Sequence, residues 1–144
     1  MKQLFHVAND EAIRRGEVTD IYYQRTEEII KAKGLATRRV VMDVHAYSLP
    51  RNCDWCVLAG VEEVMALLDG LGVDVYSMEE GTIFRRYQPV LRVEGPYSEF
   101  GILEAALLGL LRHASSIATK AARCKKAAGE KAVIFFGIRA LHPA

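Results

Sequence analysis

The sequence is poor in cysteine, proline and tryptophan, and it has no excess of charge of either sign. Three cysteines, four prolines and one tryptophan occur in 144 residues. An odd number of cysteines without an export signal favours reduced thiols over a disulfide framework. Nineteen basic and 18 acidic residues leave a formal net charge of +1. Such a balance gives no strong field for steering nucleic acid or an anionic membrane, so a polyanion-binding function is not expected.

Targeting signals and long hydrophobic runs are also scarce. Residues 1–6 contain no apolar stretch with a small-residue cleavage site, so no secretory signal peptide is predicted. The longest apolar stretch, from about Leu103 to Leu111, contains Glu104 and ends at Arg112, which makes it too short and too charged for a membrane span. We therefore expect a cytoplasmic protein without membrane contact. Its 51% hydrophobic content is ample for a core.

Periodicity predicts a mixed α+β chain. In the first part, short helices are expected at residues 11–15 and from about Asp20 to Gly34. Alternating apolar and polar residues indicate a strand from Arg39 to Tyr47. A short run at residues 55–58 is followed by a helix from Val61 to Leu68, which ends near Gly70.

Strands also dominate the middle of the chain, whereas its last third is helical. Strands are predicted at residues 73–76, 82–86 and 90–94, and the last two suggest a hairpin or meander. Helix-forming residues extend from about Ser98 to Ala128, with Ser115-Ser116 expected to divide or kink the helix. The apolar run Val133–Phe136 is typical of a strand buried on both faces.

The end of the chain resembles the rim of an α/β active site. Arg139 and His142 follow the buried strand predicted at Val133–Phe136. Enzymes with parallel sheets present binding groups from the carboxyl ends of such strands. An apolar strand without neighbours is prone to aggregate, so the tail looks unfinished.

Two cysteines at Cys53 and Cys56 have the spacing of half a zinc site. No second pair is present, and a site would need Cys124 together with His45 or His113. Thioredoxin-like redox chemistry is not expected, because the motif does not lie at a strand-to-helix turn. The simplest interpretation is a pair of small half-buried residues beside Trp55, and no metal is predicted.

Several short segments, in this order, resemble nicotinate phosphoribosyltransferases, most of all the archaeal-type enzymes. The resemblance extends from about residue 5 to the end of the chain. The segments are Thr19-Asp20-Ile21-Tyr22, Glu80-Gly81-Thr82-Ile83, Pro89-Val90-Leu91-Arg92-Val93-Glu94-Gly95, Glu104-Ala105-Ala106-Leu107-Leu108, Ile117-Ala118-Thr119-Lys120-Ala121-Ala122-Arg123 and Phe136-Gly137-Ile138-Arg139.

The resemblance implies the fold of a type II phosphoribosyltransferase. Residues 1–111 would form the N-terminal α/β sandwich domain. Residues 112–144 would form the linking helix and the start of an α/β barrel domain, with residues 133–136 as its first strand. Members of the family are considerably longer, so the chain resembles a fragment with an incomplete barrel, inactive by itself.

The resemblance also implies an activity in NAD biosynthesis. Such enzymes form nicotinate mononucleotide from nicotinate and phosphoribosyl pyrophosphate, and release pyrophosphate with ATP hydrolysis. The full-length enzyme would use ATP and Mg²⁺, neither of them held within this chain, and it would be a homodimer with shared active sites.

The same resemblance supplies candidate substrate-binding residues. Tyr22 and Phe136 match aromatic residues that sandwich the pyridine ring, with the tyrosine from the other subunit. Arg139 matches the arginine expected to bind the carboxylate, and Arg123 matches an arginine of related quinolinate enzymes. His142 is a further candidate for contact with substrate or phosphate. No catalytic side chain is assigned, because the chemistry depends on positioning and on stabilising the departing pyrophosphate.

Two questions stay open at the level of sequence. One is whether the substrate is nicotinate or nicotinamide, since groups around the ring decide between acid and amide. The other is whether the chain is instead a stand-alone, non-catalytic binding or dimerisation module derived from this enzyme. Size-exclusion chromatography distinguishes a well-behaved module from an aggregating fragment.

Overall fold

The computed structural model describes residues 8–139 as an α+β arrangement with two small antiparallel sheets. Helices and strands follow the predicted order closely in the first half of the chain. Their bounds are α1 Asp10–Arg14, α2 Ile21–Ala32, β1 Arg39–His45, β2 Cys56–Val57, α3 Val61–Leu68, β3 Asp74–Ser77, β4 Ile83–Phe84, β5 Pro89–Pro96, α4 Tyr97–Phe100 and α5 Glu104–Ala128, with 3₁₀ turns at Gly101–Leu103 and Gly137–Arg139.

The larger sheet has the order β1-β5-β3, with β5 in the centre and both neighbours antiparallel to it. The alternation predicted for β1 is confirmed, since Val44 is buried while Asp43 and His45 are exposed. Val44 lies opposite Leu91 of β5 on the inner face of the sheet. Helices α3 and α5 cover this face. Val64 of α3 and Leu107 of α5 belong to the same hydrophobic cluster as Val44 and Leu91.

The predicted hairpin between residues 82–86 and 90–94 is wrong. Instead, β4 pairs with β2, placing Cys56 opposite Phe84, whereas β5 pairs with β1 and β3. Both segments have strand-like composition, but composition does not specify a partner. The pairing depends on long-range packing, in which β5 buries Leu91 and Val93 and takes the centre of the sheet.

The expected break at Ser115-Ser116 is also wrong, because α5 is continuous from Glu104 to Ala128. The interruption occurs earlier, at the 3₁₀ turn that separates α4 from α5. Ser115 stays in the helix because its hydroxyl bonds to the backbone of Ala59, in the loop after β2, rather than competing for the helix backbone. The domain boundary predicted between residues 111 and 112 falls inside α5 and stays a prediction.

The strand predicted at Val133–Phe136 is not formed. These residues precede the 3₁₀ turn Gly137–Arg139 without regular structure, and Ile134 and Phe135 are each 74% exposed. A strand needs neighbouring backbone partners, and neither sheet in residues 8–139 places a strand beside this segment. Its role as a first barrel strand stays a prediction from the resemblance.

The helical segment Tyr97–Ala128 is long and apolar enough to cross a membrane by length and composition. The mean hydropathy of its most apolar 18-residue window is 1.3, and a third of that window is buried. The apolar stretch within it, from about Leu103 to Leu111, was expected to be too short for a span. A single helix of this kind is weak evidence for a membrane span, since the core helix of a soluble protein meets the same criterion. In this structure, α5 packs on β2 and α3.

A carboxylate distant in sequence caps α3. Glu80 accepts hydrogen bonds from the backbone N–H groups of Gly60 at 2.7 Å and Val61 at 2.8 Å. Gly60 has a φ of +92°, and a Cβ there would lie 2.9 Å from the carbonyl oxygen of Leu110. The cap and the glycine together allow α3 to begin in close contact with α5.

Replacing Glu80 by glutamine is expected to lower the free energy of unfolding by about 1 kcal/mol, because the charge that strengthens both cap bonds is lost. Urea unfolding measures the change. The matched control is Glu79→Gln, a neighbouring exposed carboxylate without a role in this cap, which should leave stability within about 0.5 kcal/mol. Equal effects of the two substitutions would contradict the capping role.

Candidate functional site

Helix α5 presents a row of polar side chains, four residues apart, to the segment that contains β2. The Thr119 hydroxyl accepts a hydrogen bond from the N–H of Val57 at 2.8 Å. The Ser115 hydroxyl accepts from the N–H of Ala59 at 3.0 Å and donates to the carbonyl of the same residue at 3.1 Å. Ser115 and Thr119 are 8% and 4% exposed. Their hydrogen bonds fix the lateral position of β2 against the helix.

Arg123 continues this row by one more helical turn. Its guanidinium Nη1 donates to the carbonyl oxygen of Asn52 at 3.4 Å and contacts the thiol of Cys53. Asn52 has a left-handed backbone with a φ of +63°, and the Cys53 N–H donates to the carbonyl of Pro50 at 3.0 Å. The loop before β2 therefore holds the predicted site arginine at the surface of α5.

Tyr22 lies in the first turn of α2 with 54% of its surface exposed. Its ring packs on Tyr23, with ring centroids 4.0 Å apart and a tilt of 39°. Burial raises the pKa of the Tyr23 hydroxyl well above its ordinary value, and the neighbouring Tyr22 and Glu104 raise it further. Tyr23 is thus an uncharged support that leaves the ring of Tyr22 available at the surface.

Phe136 and Arg139 lie together near the end of the described chain. The Arg139 guanidinium carbon is 5.6 Å from the centroid of the Phe136 ring, which is a cation–π distance. Phe136 is 68% exposed. The pair therefore offers an aromatic face and a planar cation side by side, as an aromatic carboxylate would require.

The structure brings together only part of the predicted set. Within residues 8–139, no hydrogen bond, ion pair or ring contact joins Tyr22 or Arg123 to Phe136 or Arg139. His142 lies outside the described residues. The candidate site is therefore present as separate parts, which the fold places on α2, on α5 and in the segment after α5.

A shallow groove of about 460 Å³ lies on the outer face of the larger sheet. Arg92 crosses it and donates to both carboxylate oxygens of Asp43, at 2.7 and 3.0 Å. The bond from Arg92 holds the pKa of the Asp43 carboxyl below its ordinary value. The Arg92 guanidinium is therefore already bound by this carboxylate. The groove is lined by Asp43, Tyr76, Ser77, Met78, Pro89, Val90, Leu91, Arg92 and Glu94.

The described residues contain no group of three or more histidine, cysteine, aspartate or glutamate side chains arranged to hold an ion. Cys53, Cys56 and Cys124 are free thiols.

Sequence reasoning missed the hydroxyl row at Ser115 and Thr119. The signal was present, because residues 115, 119 and 123 are spaced by four and share one face of a helix. The serine pair was instead interpreted as a helix break. The contact of Arg123 with Cys53 had no local signal, since 70 residues separate the two side chains.

Comparison with known families identifies the class of this chain. The family model described as quinolinate phosphoribosyl transferase, N-terminal domain, matches residues 20–115, which is two thirds of the sequence. The chain belongs to this family. The resemblance to nicotinate phosphoribosyltransferases inferred from the short motifs is confirmed by curated relatives of that name.

Individual relatives give a consistent account of the fold. A crystal structure of nicotinate-nucleotide pyrophosphorylase from Pyrococcus furiosus is 52% identical, with a TM-score of 0.93 over 98% of this chain. Human nicotinic acid phosphoribosyltransferase shares the fold at 22% identity, with a TM-score of 0.74 over 81% of this chain. Nicotinate phosphoribosyltransferase of Bacillus subtilis is 28% identical over 86% of this chain.

The chain spans about a third of these relatives. It covers 36% of the Pyrococcus furiosus chain, 30% of the human chain and 31% of the Bacillus subtilis protein. The similarity therefore extends over only about a third of each of these proteins. The activity, substrates and partners of a whole enzyme are matters of proposal for this chain.

Proposed function

We propose that the chain forms part of a phosphoribosyltransferase of NAD biosynthesis, with nicotinate as the ring substrate. The reaction would join nicotinate to phosphoribosyl pyrophosphate, form nicotinate mononucleotide and release pyrophosphate. The observation that carries the proposal is the similarity to a protein named nicotinate phosphoribosyltransferase, at 28% identity over 86% of this chain.

The geometry of Phe136 and Arg139 supports this choice of substrate. Nicotinate is a flat, electron-poor ring with one carboxylate. The Arg139 guanidinium lies over the Phe136 ring, and Phe136 is exposed, so its ring has surface available for stacking. A guanidinium binds a carboxylate through two parallel hydrogen bonds, so this pair would hold the ring and its charge together.

Tyr22 and Arg123 would act from separate positions. Both are exposed and neither contacts Phe136 or Arg139 within the described residues. This separation is consistent with active sites shared across a homodimer, in which Tyr22 of one subunit closes over the ring bound by the other. Arg123 would add positive charge near the anionic substrates.

The chemistry needs no nucleophilic side chain. As pyrophosphate leaves, the ribose carbon develops positive charge and the ring nitrogen captures it. Catalysis would then come from holding the two substrates in line and from stabilising the charge on the leaving group. In this chain, Phe136 and Arg139 would orient the ring nitrogen toward the sugar.

Further expectations belong to the whole enzyme. ATP hydrolysis with Mg²⁺ would be coupled to the reaction, with both held outside the described residues. The enzyme would be cytoplasmic, and His142 would contact substrate or phosphate. The isolated 144 residues would be inactive, because they cover about a third of the relatives that they match.

Quinolinate is a second candidate substrate, favoured by the description of the family model. It carries one more carboxylate than nicotinate, and its conversion also releases carbon dioxide. Mass spectrometry of reactions with nicotinate, quinolinate or nicotinamide, each with and without ATP, decides between them. If product forms only in the reaction with nicotinate, the proposal is supported. If it forms only in the reaction with quinolinate, quinolinate is the ring substrate instead.

Replacing Tyr22 by alanine is expected to weaken nicotinate binding about tenfold, because one stacking face is lost. Phenylalanine at this position keeps the face and should bind within about twofold of the original protein. Steady-state KM values for the three proteins, measured with the enzyme that carries this chain, test the prediction. Equal KM values for the alanine and phenylalanine variants would remove Tyr22 from the ring site.

A further inference from the structure

The contact between Arg123 and Cys53 has a chemical consequence that phosphoribosyl transfer does not use. Cys53 is partly exposed, and its sulfur lies against a guanidinium group. Reactive cysteines in proteins typically combine partial exposure with a neighbouring positive charge. By this criterion, Cys53 is the thiol of the chain best placed to react.

A second thiol lies three residues further along the chain. Cys56 is 6% exposed and begins β2, opposite Phe84. Burial raises the pKa of the Cys56 thiol, and the nearby Cys53 raises it further, whereas Thr119 and Arg123 lower it. Cys56 is thus protected from solvent but near Cys53. Cys124, in contrast, is exposed on α5.

We propose that Cys53 and Cys56 are a thiol pair that hydroperoxides oxidise reversibly to an intrachain disulfide, with Cys53 as the sulfur that reacts first. The turn from Pro50 ends at Cys53, so only Asp54 and Trp55 separate the two cysteines along the chain. Disulfides between cysteines separated by two residues are common in redox proteins. The pair differs from thioredoxin because its second cysteine begins a strand, whereas the thioredoxin pair leads into a helix.

The chemistry balances with hydrogen peroxide as the oxidant. The Cys53 thiolate attacks one peroxide oxygen, the O–O bond breaks and hydroxide leaves, which gives a sulfenic acid. The Cys56 thiol then attacks the Cys53 sulfur, the S–O bond breaks and water leaves. Two thiols lose two electrons in total, and one hydrogen peroxide molecule is reduced to two water molecules.

Oxidation would release Arg123 from one of its two partners. A disulfide sulfur is neutral and turned toward Cys56, so only the Asn52 carbonyl, at 3.4 Å, would remain for the guanidinium. An effect on substrate binding rests on the function proposed above for Arg123. The thiol chemistry itself does not depend on that function, so the two are tested separately.

The test is quantitative mass spectrometry of the purified, reduced protein after graded exposure to hydrogen peroxide and alkylation of the remaining thiols. Trypsin releases Cys53 and Cys56 in one peptide, from Asn52 to Arg85, and Cys124 in another. We expect a disulfide that dithiothreitol reverses, formed about tenfold faster than Cys124 is oxidised. Oxidation of Cys124 at an equal or greater rate would overturn the proposal.

Variants separate the role of each group. Cys56→Ser should stop oxidation at a sulfenic acid on Cys53, which a dimedone probe captures. Arg123→Ala should slow the reaction of Cys53 several-fold, while Arg123→Lys restores part of the rate and Lys120→Ala, on the same helix, leaves it unchanged. Equal rates in the alanine and lysine variants of Arg123 and in the original protein would remove the guanidinium from the mechanism. A disulfide that forms with Cys124 instead of Cys56 would refute the pairing.

Discussion

Replacing Arg139 by alanine is expected to weaken nicotinate binding by about 2 kcal/mol, or roughly thirtyfold. The substitution removes the fork of N–H donors that would pair with the carboxylate. It also removes the cation that lies 5.6 Å from the centroid of the Phe136 ring. Titration of nicotinate into the enzyme that carries this chain measures the loss.

The matched variant is Arg139→Lys, which keeps the charge but loses the planar fork. Its affinity should fall between those of the original protein and the alanine variant, because a lysine offers a point charge without bidentate geometry. Circular dichroism should show no change in either variant, since Arg139 is exposed. Unchanged affinity in the alanine variant would remove Arg139 from the site.

The combined substitution Ser115→Ala and Thr119→Val is expected to lower the free energy of unfolding by about 2 to 4 kcal/mol. It would leave the N–H groups of Val57 and Ala59, and the carbonyl of Ala59, without their partners from α5. A fully buried backbone group left unpaired costs about 1 to 3 kcal/mol, and these three groups are only part-buried, so each is expected to cost about 1 kcal/mol. Urea unfolding measures the change, and the m-value, the dependence of the unfolding free energy on urea concentration, should be the same in both proteins.

Ser116 provides a control on the same helix. Its hydroxyl donates to the carbonyl of His113 at 2.8 Å, within α5, and the residue is exposed. Ser116→Ala should therefore change stability by less than about 0.5 kcal/mol. If the double variant were as stable as Ser116→Ala, the hydroxyl row would not be what holds β2 to α5.

Local sequence signals predicted the helices in the first half of the chain and the first strand well. Residues 61–68 were expected as a helix, and α3 has those bounds. The alternation in Arg39–His45 identified β1 and its buried face because one side of that strand packs on the core. Such features depend on neighbours along the chain, and these are fixed by sequence order.

The same local signals did not predict which distant segments pair with each other. Residues 82–86 and 90–94 both have strand composition, but their partners β2, β1 and β3 are chosen by tertiary packing. The apolar run at residues 133–136 indicated burial without specifying what covers it. Within residues 8–139, the sheets place no strand against this segment, and its side chains are exposed.

The candidate site also divides into features that the sequence predicted and contacts that only the tertiary structure shows. The resemblance supplied Tyr22, Arg123, Phe136 and Arg139 as a set, and the structure adds the contact between Phe136 and Arg139. The residues that hold Arg123 in place, Asn52 and Cys53, lie about 70 residues away in sequence. Periodicity carries no information over such a separation.

The central claim, that this chain supplies ring-binding residues of a phosphoribosyltransferase, is tested most directly by a chimera. The matching 36% of the Pyrococcus furiosus protein is replaced by this chain, and product formed from nicotinate and phosphoribosyl pyrophosphate is measured beside the parent protein. We predict that the chimera forms nicotinate mononucleotide and that adding Arg139→Ala to it reduces turnover at low nicotinate about thirtyfold. A chimera that keeps the melting temperature and oligomeric state of an active parent but forms no product would contradict the account.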